Sequence, residues 1–230
     1  MGTAFRLLAA CALLTGQAQA QELAITGLQH YTENRGWNEA GLGPVHQVIV
    51  NVTVTPSGFP TLVFAEQDGV REPLVHFPQP GAPDLYALWK RFEPGPAGSW
   101  RILAERGAAK AAPVSSPVLK APRKIPLIEK VRVTGKGAQP RISWTLPDLK
   151  GFGIDRIRVA VRGGARVHGR FLSQLHVSPG LPATASSYTI PAGWLEAGER
   201  YVFQVMLEHL EDGALANRSL SFSDPYSPPR

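Results

Sequence analysis

Leu195-Glu-Ala-Gly-Glu-Arg-Tyr-Val-Phe-Gln-Val-Met-Leu207 is the stretch whose reading decides the fold. Tyr201, Phe203, Val205 and Leu207 recur at every second position, so in an extended chain they share one face. Gln204 and Glu208 fall on the other face. Gly198 supplies the tight turn just before the strand. A Leu, a turn Gly and a Tyr opening an alternating strand form a corner, in which the Tyr ring enters a sandwich core and its hydroxyl bonds to backbone upstream.

Two further pieces agree with that reading: Ser187-Tyr-Thr-Ile-Pro191, and Arg141-Ile-Ser-Trp144 followed by Leu146-Pro147. With the corner they make the second half, residues 125–228, resemble a fibronectin type III domain. The resemblance implies a β-sandwich with Trp144 in the core and Tyr201 at the corner. It implies no activity, because a fold does not fix a function. The family's integrin-binding Arg-Gly-Asp loop has no counterpart, since the corresponding turn reads Glu211-Asp-Gly-Ala214. Seven strand-like runs with Gly and Pro punctuation fill this half, as an Ig-like sandwich requires.

At the other end, residues 1–20 read as a secretory signal: Arg6, an apolar run from Leu7 to Leu14, and the small-x-small site Ala18-Gln-Ala20. The apolar run is too short to span a bilayer, so the protein is expected not to be membrane-spanning. A rival reading takes Leu8-Ala-Ala-Cys11 as a lipoprotein cleavage box, with Cys11 lipidated. Cleavage after Ala20 would remove Cys11, the single cysteine, and leave neither disulfides nor thiol chemistry. The expected location is periplasmic or secreted. In a bacterial exported protein, Asn51-Val-Thr53 and Asn217-Arg-Ser219 are chance matches to the glycosylation pattern.

In residues 22–107, Val48, Val50, Val52 and Val54 alternate with Gln47, Ile49, Asn51 and Thr53 as a half-buried strand. Returning strands are expected over 61–65, 72–77, 85–92 and 99–105. Leu85, Leu88, Trp89 and Phe92 also fit helical spacing, but the flanking Gly and Pro favour a strand. This half reads as a small Ig-like sandwich. Residues 29–43 are polar and Gly-rich yet hold Tyr31 and Trp37, either as an aromatic platform for a sugar or peptide or as a plug closing one end of the sandwich. Residues 108–124, rich in Ala, Pro, Ser and Lys, read as a semi-flexible linker. The fold class is therefore all-β: a signal peptide followed by two antiparallel β-sandwiches in tandem.

Charge is uneven. Residues 21–120 hold eight basic against nine acidic side chains, whereas residues 121–230 hold fifteen against nine. Arg156, Arg158, Arg162, Arg166 and Arg170 follow Asp155 with no acid among them. The first three lie on the strand face opposite Ile157, Val159 and Val161. They read either as an anion-binding stripe or as a solvated outer face whose charge blocks edge pairing.

Catalytic signatures are absent from the sequence: no Gly-rich phosphate loop, no His-Glu-x-x-His and no Gly-x-Ser-x-Gly. His168 and His176 could share a metal, but two His without a carboxylate make a thin site. Asp148 and Asp155 bracket a Gly-rich loop, where turn formation explains them better than paired-carboxylate chemistry. The expected function is that of an exported, non-enzymatic binding or adaptor protein with no cofactor. Its partner would be an envelope protein or an anionic polymer, with no nucleic acid in that compartment. The alternative is a structural component of an envelope or secretion complex.

Overall fold

The computed structural model describes residues 22–36, 44–58, 60–78, 83–91, 98–120, 122–167 and 170–230, with backbone alone at 164–167 and 170–173. The leader with Cys11, the aromatic Trp37 and His168 lie outside the described residues.

Among the described residues, nine strands form the first half: β1 (Ala24–Arg35), β2 (Val45–Thr55), β3 (Leu62–Gln67), β4 (Val70–Pro73), β5 (Val75–Phe77), β6 (Asp84–Arg91), β7 (Arg101–Arg106), β8 (Ala109–Lys110) and β9 (Val114–Ser115). The alternating valines of β2 all face one core, shared with Val63, Tyr86, Trp100 and Ile102. The run expected over 85–92 is strand as far as it is described, Phe92 lying outside the described residues: β6 pairs with β2 on one side and β5 on the other. The run expected over 72–77 breaks at Leu74, which is buried and donates its N–H to the Val63 carbonyl at 2.8 Å. That anchor sends β4 and β5 to different sheets.

Among the described residues, seven strands form the second half: β10 (Val131–Thr134), β11 (Arg141–Trp144), β12 (Arg156–Val167), β13 (Arg170–Val177), β14 (Ser187–Thr189), β15 (Val202–Glu211) and β16 (Ala214–Phe222). A three-stranded sheet, β10-β11-β14, packs over β13-β12-β15-β16. This is the Ig-like, fibronectin type III-like arrangement the sequence implied. Trp144 lies in the core and donates its indole N–H to the Ala185 carbonyl at 2.8 Å. Tyr201 makes the expected corner, its hydroxyl accepting from the Glu196 N–H at 2.8 Å. Gly198 turns the chain there at φ 80°. Asp212 and Gly213, both at positive φ, close the β15–β16 hairpin as a two-residue turn whose twist matches its strands.

The two halves share one sheet. Its order is β13-β12-β15-β16-β1-β2-β6-β5, and the junction is a parallel pairing of β1 with β16, Thr32 against Asn217 through Arg35 against Leu220. The segment read as a linker is accordingly built into the molecule. Its strands β8 and β9 pair with β7, and Leu119 is buried in the first core. Beyond Leu119 it is fixed by side chains of the junction: Asn34 donates to the Ile125 carbonyl at 2.8 Å, and the Arg123 N–H donates to Asn217 Oδ1 at 2.7 Å. Composition alone suggested flexibility, whereas polar partners across the junction hold the backbone in place.

Replacing Trp144 with Ala should cost roughly 3–5 kcal/mol, because a large buried ring leaves a cavity. Tyr201→Phe should cost on the order of 1 kcal/mol, the value of one hydroxyl hydrogen bond. Urea denaturation of the two variants checks both figures; equal losses would mean the corner and the core ring carry the same weight.

Candidate functional site

Alternation places Arg156, Arg158 and Arg162 of β12 opposite the fully buried Ile157, Val159 and Val161, as the sequence implied. The expectation of a solvated stripe needs correcting. β15 is buried on both faces, so Gln204, Met206 and Glu208 are as enclosed as Phe203, Val205 and Leu207. Glu208 sits directly across from Arg156. Its two oxygens accept from Arg156 Nε at 2.7 Å and Arg158 Nη2 at 2.6 Å, while its side chain is 0% exposed. Arg162 Nε donates to Gln204 Oε1 at 3.0 Å. The backbone of Arg166 and Arg170 lies in the β12–β13 hairpin.

Register extends this pairing into a ladder across six strands. Arg156 faces Glu208, Glu208 faces Arg218, Arg218 faces Glu33, Glu33 faces Gln47, and Gln47 faces Arg91. Glu33, also 0% exposed, accepts from Arg218 Nη2 at 2.5 Å, Arg35 Nε at 2.8 Å and Gln47 Nε2 at 3.1 Å. Arg218 also donates to the Tyr31 hydroxyl at 2.8 Å, with its guanidinium 4.7 Å from the ring centroid. Tyr31 is thus buried within the ladder and is not an open platform for a ligand.

Burial alone would raise the Glu33 pKa, but the charges and hydrogen bonds of Arg218 and Arg35 prevail and hold it at about 2. The same burial would lower Arg218, which Tyr31 and Glu33 instead raise. Arg162 moves the other way, to about 10, through burial first and then the positive charges of Arg35 and Arg218. Glu33 and Glu208 therefore each carry two guanidiniums, a charge-assisted arrangement suited to the planar Arg fork.

The remaining sequence candidates have local partners. Asp148 accepts from the Lys150 N–H at 2.9 Å, a turn contact, and Asp155 accepts from the Leu210 N–H at 2.7 Å and pairs with His209. His176 stacks on Trp194 at 4.7 Å. Among the described residues no three His, Cys, Asp or Glu side chains gather as metal ligands, and no helix is long and apolar enough to cross a membrane. Sequence reasoning missed Glu33, Arg35 and Arg218. Glu33 and Arg35 stand two apart in Tyr31-Thr-Glu-Asn-Arg35 and so share a face, which was the available signal.

No family model matches the chain. No curated protein matches it either. Among solved structures, the chain is similar to that of the chicken CNTN1 FN1–FN3 domains at 10% identity and a TM-score of 0.35, over 89% of this chain and 69% of that one. A likeness that weak adds nothing to what the strand order already establishes.

Two outcomes follow from the ladder. Changing Arg156 and Arg158 together to Gln should cost about 3–5 kcal/mol in urea denaturation, because it strands a buried carboxylate. Glu208→Gln should cost less, since the partly exposed guanidiniums can turn to water. Equal costs would show that burial of Glu208 is not what the arginines serve. Glu33, ordinarily near 4.5, titrates at about 2 in the folded protein. Its contribution, on the order of 3 kcal/mol, is complete above pH about 4.5 and fades as the pH falls toward 2. Glu33→Gln should remove that acid-dependent loss, as measured by thermal melts over the same range.

Proposed function

We propose that the protein is an exported, non-enzymatic adaptor that presents two β-sandwiches at a fixed spacing to partners in a bacterial envelope. The observation that carries this reading is the eight-stranded sheet running through both halves, with the connecting segment pinned across the junction. A chain that only tethered two modules would have no need to bury polar groups between them. Export rests on the leader in residues 1–20. The non-enzymatic part of the reading rests on the sequence, which carries none of the catalytic signatures sought above.

Two partner chemistries have support. Arg35, Arg156, Arg158 and Arg218 stand over only Glu33 and Glu208, a positive balance that favours an anionic polymer or acidic protein. An assembly role is favoured by the first sandwich, where Val75 and Trp89 are 54% and 42% exposed beside the short edge strand β5, with Phe77 edge-on to Trp89 at 5.4 Å. Capture from the envelope fraction of the source organism, at low and at high salt and with cross-link mapping, separates the two. A contact at the arginines should be lost as salt rises, and one at the β5 edge should persist. No retained partner at either salt would contradict the adaptor reading.

A further inference from the structure

The face of β1 turned toward the connecting segment carries a buried histidine. His30 is 3% exposed, and its Nδ1 lies 3.0 Å from the Pro117 carbonyl oxygen and 3.1 Å from Ser116 Oγ. Ser116 Oγ also accepts from the Trp100 N–H at 2.9 Å, so the ring meets the segment where it leaves the first sandwich. The other ring nitrogen, Nε2, is buried and has no hydrogen-bond partner among the described residues. From this end onward the segment runs through buried Leu119 to the Arg123 and Ile125 contacts that reach Thr32, Asn34 and Asn217.

A neutral ring fits this setting, with Nδ1–H donating to Pro117 and Nε2 left as a bare lone pair. A doubly protonated ring does not. It places a full charge and a second N–H at a buried atom that meets no acceptor among the described residues, and such a buried charge is costly. Facing β2 residues are Val50 and, beside it, Val48 and Val52. Among the described residues no charged group acts on the ring: burial lowers its pKa and the Pro117 carbonyl opposes this in part. Of the segment's own cations, Lys120 pairs with Asp212, and Lys124 adds to burial in lowering His46.

We propose that His30 is a proton-operated latch. While neutral it holds the segment from Ser116 onward against β1, and on taking up a second proton it releases that segment and loosens the brace between the two sandwiches. In the released state the ring is solvated and regains an ordinary affinity for protons, so release becomes easier as the pH falls below the ordinary histidine value of 6.5. This window lies well above the one set by Glu33, which opens only below pH about 4.5, so the two acid responses are separable.

Limited proteolysis of the full-length protein between pH about 8 and about 5 tests the latch, in the regime where cleavage follows the open population. Rates are normalised to those of an unstructured peptide spanning residues 114–124. Cleavage within that segment should rise by up to about tenfold per pH unit below pH about 6.5, one proton being taken up on release. His30→Asn places an amide N–H near Nδ1 and cannot be protonated, so its cleavage should lose that tenfold-per-unit rise. A rate independent of pH in the natural protein, or a variant as steep as the natural protein, would overturn the latch. The imidazole titration of His30, followed by NMR in the natural protein, decides the matter even if the variant does not fold: a value at or above 6.5 would also overturn it.

Discussion

Parallel pairing of β1 with β16 puts the flank of one sandwich against the flank of another, and both strands must then be central strands of a single sheet. Near this junction both faces of β1 are covered. Glu33, Thr32, Asn34, Asn217 and Ser219 are all buried there, and each buried polar group costs free energy unless it finds a partner. Much of the structure near the junction answers that requirement. On one face, the connecting segment supplies backbone carbonyls and an N–H to Thr32, Asn34 and Asn217. On the other, arginines from β1, β12 and β16 enclose the two carboxylates.

The arginine ladder is more a specificity device than a source of stability. A buried ion pair seldom outperforms a well-packed apolar pair, but removing one partner is costly. Glu33 and Glu208 therefore penalise any arrangement that does not bring Arg35, Arg218, Arg156 and Arg158 to them. Because β1 and β16 are far apart in the chain, with Thr32 and Asn217 separated by 185 positions, such a penalty is an effective way to fix their register. A one-residue slip would turn Glu33 toward the opposite face and leave it without its guanidiniums.

Much of the fold was legible in the sequence because its signals are local. The alternation of Val48 to Val54, the Gly198–Tyr201 corner and the ring of Trp144 each report on a few neighbouring residues, and each resolved as read. The junction was not legible, because no local pattern records which distant strand will lie alongside β1. The arginine stripe was misread for the same reason. Its acid, Glu208, comes 50 positions after Arg158, so the stripe looked unopposed in sequence while the sheet register opposed it. The Ala- and Pro-rich connection misled through composition, which reports a segment's own stiffness but not the side chains waiting to bind its backbone.

If the two sandwiches are held as one body, a partner seized by one is displayed at a fixed distance from the other, which suits an adaptor better than a flexible tether would. That depends on β16 being a true central strand. Amide hydrogen exchange over Asn217–Leu220 measures this directly. A strand bonded on both sides should protect consecutive amides as strongly as those of β15, with exchange approaching the global unfolding limit. If instead alternate amides of β16 exchanged rapidly, as on an edge strand, β1 would not be its partner in solution and the single-sheet account would be contradicted.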